Sequence, residues 1–217
     1  MILLIGSEKG GTGKTTISTN LAVLAARAGA DVLLVDTDPT TATTSWSAIP
    51  TELAHAPAIT CMSKVGPSTG HDIVKMRDKF DHIIVDAGGG DSTELRTTMV
   101  IADKMVVPVK PSQFDVWTLS PMERLVYDVT AAVNPNLRPI VCLNLTDPNP
   151  ALREAQEVLE YLSEFKMLRA ARSLIHDRVP FRRAAREGRG VVELDKGENE
   201  KAIAEIEALF QEVFDDA

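Results

Sequence analysis

A chain of 217 residues with a formal net charge of −8 and 44% hydrophobic residues is sized for one domain, 1–217. A chain of this length buries roughly 70–75% of its unfolded surface without disulfides or structural metals. Two cysteines, Cys61 and Cys142, far apart in apolar contexts, exclude a disulfide framework and a cysteine-based metal site, and fit small buried hydrophobes in a reducing cytosol. With no basic leader and no apolar run near the roughly 18 residues of a membrane span, a soluble cytoplasmic protein with no membrane partner is expected.

Residues 2–5 (ILLI) read as a fully buried strand that breaks into a glycine-rich loop and then a helix over 14–28, stopped by Gly29. Residues 32–35 (VLLV) form a second apolar run, ending in Asp36, Thr37, Asp38 and Pro39. The segment 37–63 is harder to assign, with a short helix expected near 41–48 and a short strand near 58–62. Strands follow at 83–85 (IIV, ending in Asp86), 105–109 (MVVPV) and 139–143 (PIVCL, ending in Asn144). Helices are expected over 70–79, 92–101, 117–133 and 151–164, and an amphipathic tail helix over 198–214. Continuous apolar strands alternating with helices predict an α/β fold, a mostly parallel twisted sheet with helices on both faces. Polar residues close each strand at its C-terminal end, the edge where such sheets bind ligands.

The loop after the first strand reads SEKGGTGKTT, and the usual phosphate-loop pattern G-x-x-x-x-G-K-[ST] fails in it because Glu8 stands where the first glycine belongs. Lys9, Gly10, Gly11, Thr12, Gly13, Lys14, Thr15 and Thr16 nevertheless aim backbone N–H groups and a helix N-terminus at one point, which suits a phosphate. Nucleoside triphosphate hydrolysis needs neutralised phosphates, magnesium and an oriented water. Lys14 reaches the β- and γ-phosphates, Thr15 offers a hydroxyl to Mg²⁺, Thr16 lies near the α-phosphate, and Asp86 matches an acidic Mg²⁺ residue. Asp36 and Asp38 alternate along extended backbone and face different ways.

Four stretches, KGGTGKTT from Lys9, VDTDP from Val35, IIVDAG from Ile83 and PSQFD from Pro111, resemble the deviant Walker ATPases, most of all compact members of the ParA family of DNA-segregation ATPases. The resemblance spans essentially the whole chain. It implies ATP and Mg²⁺ as cofactors and an ATP-sandwich homodimer, with Lys14 acting in cis and Lys9 on the partner's phosphates. It also implies that Asp38 positions the attacking water, Asp36 supports the magnesium shell, Asn144 reads the adenine edge, and Pro180 with Phe181 closes over the base. Two departures stand out: Thr40 replaces the family's common glutamine, and three glycines, Gly88 to Gly90, follow Asp86 where proline is frequent. That glycine loop is read as a γ-phosphate sensor or as a simple turn.

Charge is distributed unevenly, with a net +6 over 166–189 and a net −7 from Glu193 onward. The basic stretch, with Arg169, Arg172, Arg182, Arg183, Arg186 and Arg189, suits non-specific contact with a DNA backbone; the alternative is pairing with the acidic tail. An acidic tail also argues against anionic lipid. The resemblance thus implies a nucleoid-associated plasmid-partition ATPase, stimulated by a ParB-like centromere-binding or cargo-adaptor protein. Alternatives are positioning of a protein organelle or chemoreceptor cluster, or a metabolic P-loop kinase or ligase.

Overall fold

The computed structural model describes residues 1–50, 59–149, 154–195, 197 and 199–214. The strands are β1 (Ile2–Ser7), β2 (Val32–Asp36), β3 (Ile59–Ser63), β4 (His82–Gly89), β5 (Lys104–Val109), β6 (Ile140–Thr146), β7 (Arg169–Ala170) and β8 (Ile175–His176). They form a parallel sheet in the order β3-β2-β4-β1-β5-β6-β7, with β8 also pairing β6. Side chains alternate across a strand, so Ile2 and Leu4 enter one apolar layer while Leu3 and Ile5 enter the other. Because both layers are covered, the inner strands β1, β2, β4 and β5 carry no polar face over their apolar runs, which explains those uninterrupted runs, whereas the edge strand β3 exposes Thr60 and Ser63.

The helices are α1 (Lys14–Arg27), α2 (Ala42–Ser47), α3 (Thr69–Val74), α4 (Thr93–Ile101), α5 (Gln113–Val116), α6 (Leu119–Ala132), α7 (Glu154–Leu162), α8 (Val179–Arg186) and α9 (Glu200–Phe214). Leu95 and Met99 of α4 and Leu119, Met122 and Val126 of α6 cover the first layer. Ile17 and Leu21 of α1 with Ala202, Ile206 and Leu209 of α9 cover the second. β1 lies between β4 and β5, with β2 and β3 to one side and β6 to the other. The crevice above the C-terminal end of β1 is therefore where the chain direction switches and where a ligand fits.

Several boundaries differ from expectation. The helix expected over 117–133 is a single element, α6 over Leu119–Ala132, and a separate short helix, α5, precedes it, capped by Ser112, whose side chain accepts from the Asp115 N–H. The helix expected over 70–79 ends at Val74 and a 3₁₀ turn follows at Arg77–Lys79. β4 runs three residues past Asp86 because β1 keeps pairing with it, Ser7 opposite Gly89. Two-residue strands β7 and β8 carry too little pattern to be seen in sequence. The start of the helix expected from 151, residue 58 of the expected strand, and Glu198 of the tail helix lie outside the described residues. Cys142 is fully buried, its thiol pushed up to about 12 by burial, while Cys61 is half-buried; both are free.

Candidate active site

The loop between β1 and α1 folds around the Lys14 ammonium, which is 7% exposed. Lys14 Nζ donates to Ser7 Oγ at 3.3 Å and to the Lys9 carbonyl at 3.1 Å, both neutral oxygens. Burial pushes its pKa down, opposed by the charges of Asp86 and Asp38. A second strut, Ser7 Oγ to Thr12 Oγ1 at 2.8 Å, ties the loop to its own strand. The first turn of α1 carries no acidic residue and no side-chain cap. Its backbone donors and a buried ammonium thus converge with no anion among the described residues hydrogen-bonded to them, which is the donor set of a phosphate site. Gly10 and Gly11 lie exposed on the loop, Thr12 is buried within it, and Gly13 precedes the first turn. Thr16 is partly exposed on α1.

Asp86 lies beneath the loop at 1% exposure. Its Oδ2 accepts from Thr15 Oγ1 at 2.7 Å and from Thr43 Oγ1, and its Oδ1 accepts from Ser18 Oγ at 3.1 Å. Burial pushes this carboxyl up, the three hydroxyls pull it down, and the neighbouring Asp36 charge pushes it up again. A buried carboxylate held, among the described residues, by hydroxyls, two of them (Thr15 and Ser18) on the phosphate-loop helix, fits Mg²⁺, a hard cation that takes few protein ligands when phosphates supply others. Asp36 is organised differently from a free metal ligand: Oδ1 accepts the Asp38 N–H at 3.0 Å and Oδ2 the Thr44 N–H at 2.9 Å. It fixes the turn into α2. Asp38 stands beside Gly88, its Oδ1 accepting the Thr40 N–H at 2.8 Å, so the two carboxylates hold different backbone amides. The expected glycine loop is in part strand: a Cβ at Gly89 would lie 3.2 Å from Gly10 Cα and Gly10 N. That glycine is needed for close approach to the phosphate loop.

Lys9 does not turn into its own loop. Its Nζ pairs with Asp115 Oδ2 at 2.8 Å, the lysine side chain 40% exposed and the aspartate 4%. Ser112 Oγ donates to the same oxygen, while Asp115 Oδ1 is buried without a hydrogen-bond partner among the described residues. On the other side of the crevice Asn144 Nδ2 donates to the Thr12 carbonyl at 2.6 Å, and its Oδ1 is buried without a partner among the described residues. A bulge between Asn144 and Thr146, where Leu145 takes φ 56°, aims this side chain at the loop. The expected pairing of Pro180 with Phe181 over a base is corrected: Phe181 is 5% exposed within the apolar layer under α1 and α9, because the first turn of α8 packs it inward. Pro180 alone of the two lines the adjacent groove, with Arg178, Arg183 and Asn199.

The basic stretch divides in two. Arg169 pairs with Glu212 of α9 at 3.0 Å and Arg172 lies 3.7 Å from it, while Arg178 donates to Glu205 at 2.9 and 2.6 Å. Pairing with the tail therefore accounts for this part. Arg182, Arg183 and Arg186 are carried on α8, where Arg182 pairs with Asp177, and Arg189 follows the helix, pairing with Glu187 at 3.2 Å. Thr43, Ser18 and Ser7 escaped the sequence reading because nothing local marks a hydroxyl that meets a carboxylate or lysine across the fold. Asp115 was legible as the last residue of PSQFD, but its partner was not.

The sequence pattern of the CobQ/CobB/MinD/ParA nucleotide binding domain matches residues 3–191. The maintenance of carboxysome distribution protein A of Halothiobacillus neapolitanus is 29% identical over 215 residues, covering 97% of this chain and 95% of that protein. Among solved structures, apo McdA of Cyanothece has a TM-score of 0.75 at 18% identity, covering 96% of this chain and 98% of that chain. The septum site-determining protein MinD of Pyrococcus horikoshii, complexed with Mg-ADP, has a TM-score of 0.73 at 18% identity, covering 97% and 94%. At that identity the two structures speak for a shared fold.

Proposed function

The chain belongs to the CobQ/CobB/MinD/ParA family of nucleotide-binding domains, as a ParA-type P-loop ATPase, and on that premise we propose that it is an ATP-driven switch that partitions or positions a cargo over DNA. Lys14 and the α1 N-terminus hold the phosphates, and Thr15 and Asp86 hold Mg²⁺, with Asp36 fixing the turn beside them. Magnesium, when bound, neutralises charge on the phosphates. Asp38 orients the attacking water, and the unpartnered Asn144 Oδ1 is an acceptor for the adenine amine. Lys9 completes the site of a second copy in an ATP-sandwich dimer. The dimer binds DNA non-specifically through the arginines of α8, Arg182, Arg183 and Arg186, with Arg189, and a ParB-like or other cargo-adaptor protein stimulates hydrolysis and release. The relative matched end to end is named for carboxysome distribution. That name supports a protein-organelle cargo over a plasmid.

The observation that carries the reading is the position of Lys9: a second lysine of the phosphate loop stands half-exposed on the rim, 2.8 Å from Asp115, rather than inside its own loop. Lys14→Ala should abolish ATP binding, whereas Lys9→Ala should leave monomer binding nearly intact and remove the ATP-dependent dimer measured by light scattering. Binding to unrelated duplexes should require ATP and fall with salt by about 0.9 in log K per log unit of salt for each phosphate neutralised. A dimer unchanged in Lys9→Ala would sink the sandwich, and DNA binding indifferent to nucleotide and salt would sink the DNA role.

A further inference from the structure

α2 is a six-residue helix with its two ends in different functional regions. At its start, Thr43 donates to Asp86 Oδ2, the oxygen that also takes the Thr15 hydroxyl, and the Thr44 N–H donates to Asp36 Oδ2. Both carboxylates are essentially fully buried. At its far end Trp46 Nε1 donates to the Arg189 carbonyl at 3.4 Å. Ile49, two residues past the helix, packs on Gly188 so closely that a Cβ there would lie 2.7 Å from Ile49 Cβ. Gly188 also takes φ 65°, so the contact uses the two properties that glycine alone combines.

Residues 187–191 are the elbow that follows the arginine helix α8. The elbow's other side is fixed to α1: the Val191 N–H donates to Asn20 Oδ1 at 2.7 Å, and a Cβ at Gly190 would lie 2.9 Å from Val23 Cβ. α1 starts at the phosphate loop and carries Thr15 and Ser18, two of the hydroxyls on Asp86, and it forms the other jaw of the elbow. α2 is anchored by hydroxyl and amide hydrogen bonds to two carboxylates, and those bonds respond to whatever charge Asp86 Oδ2 holds. A six-residue helix spans about 9 Å and moves as one piece. Displacement at Thr43 is therefore delivered to Gly188 and Arg189 rather than absorbed along the way, since packed interfaces shift between discrete arrangements.

We propose that α2 is a lever that sets the position of α8 according to the state of the Asp86 and Asp36 carboxylates, with Trp46 and Ile49 as the positioning residues that transmit it. The inference deepens the reading of a nucleotide-controlled DNA surface and rests on that reading for its consequence, though not for the lever itself. It adds to dimerisation a control that operates within one subunit. Any ligand that biases α2 must, by linkage, be biased in return by what α8 binds.

The test is amide hydrogen exchange of 187–191 in the full chain, without nucleotide and with Mg-ATP, in the Lys9→Ala background that keeps subunits apart. In that parent, Mg-ATP should change exchange of the elbow about tenfold, the usual size of a coupling between sites. Ile49→Ala should abolish the change while ATP affinity stays within about twofold, and Ile49→Val, which keeps the β-branched contact, should restore it. In the otherwise native chain, Ile49→Ala should also shrink the ratio of DNA affinity with ATP to that with ADP. An elbow that responds equally in Ile49→Ala, does not respond in the parent, or fails to recover in Ile49→Val overturns the lever. If the native chain binds no DNA, the DNA reading fails while the exchange result still decides the lever.

Discussion

Asp115→Asn removes the charge that holds Lys9 in the separate subunit without changing the shape of the site. The pair is short, 2.8 Å from Lys9 Nζ to Asp115 Oδ2, but the lysine is 40% exposed and the aspartate 4%. Bare Coulomb energy at an effective dielectric of 20 gives about 6 kcal/mol for this separation. Solvent screening and side-chain entropy bring half-exposed pairs to about 1 kcal/mol. Lys9 has to leave this carboxylate to reach a partner's phosphates, and a symmetric dimer breaks two such pairs. Asp115→Asn should therefore tighten the Mg-ATP-dependent dimer by about 2 kcal/mol, close to 30-fold in Kd. Sedimentation velocity across a protein concentration series, with a non-hydrolysable ATP analogue, measures this directly. Adding Lys9→Ala to Asp115→Asn should leave no ATP-dependent dimer at all, because no lysine is left to reach the partner. A dimer constant unchanged or weakened by Asp115→Asn would refute the idea that Asp115 holds Lys9 back.

Gly89→Ala places a Cβ 3.2 Å from the backbone of Gly10, so the phosphate loop itself has to move; overpacking of about 1–3 kcal/mol should lower ATP affinity roughly 5- to 150-fold by calorimetry. Gly88→Ala meets nothing nearer than Asp38 Cα at 3.5 Å, and an equal loss there would discredit the argument. For the tail helix, burial pushes the Glu205 carboxyl up, but hydrogen bonds from the Arg178 guanidinium and the His176 N–H, with the charges of both side chains, bring it below its ordinary value. A depressed carboxylate stabilises the fold above its unfolded pKa, and the contribution fades as pH falls through the folded pKa. Glu205→Gln should thus melt about 2–8 °C below the parent at neutral pH, the scale of losing 1–2 kcal/mol in a domain of this size. The two melting curves should converge in acid; a gap that persists there would contradict the ionic origin.

The alternation of continuous apolar strands with helical segments in this sequence determined a parallel sheet covered on both faces, since only strands buried twice carry no polar positions. The same holds for the phosphate loop: Lys9, the glycines, Lys14 and Thr15 act within one short run of chain, so spacing alone places them. Boundaries that depend on a neighbour were not legible. β4 continues to Gly89 because β1 pairs with it, and the four-residue α5 starts where Ser112 caps it, neither of which is a periodic signal. The division of the basic stretch, with Arg169 and Arg178 paired to glutamates of the tail helix and Arg182, Arg183 and Arg186 carried on α8, required knowing where α9 lies. Only the tertiary structure brought Thr43 and Ser18 to Asp86, seated Lys9 on Asp115 and buried Phe181. A hydrogen bond between residues dozens of positions apart is fixed by the path of the backbone between them, and no local pattern in the sequence records it.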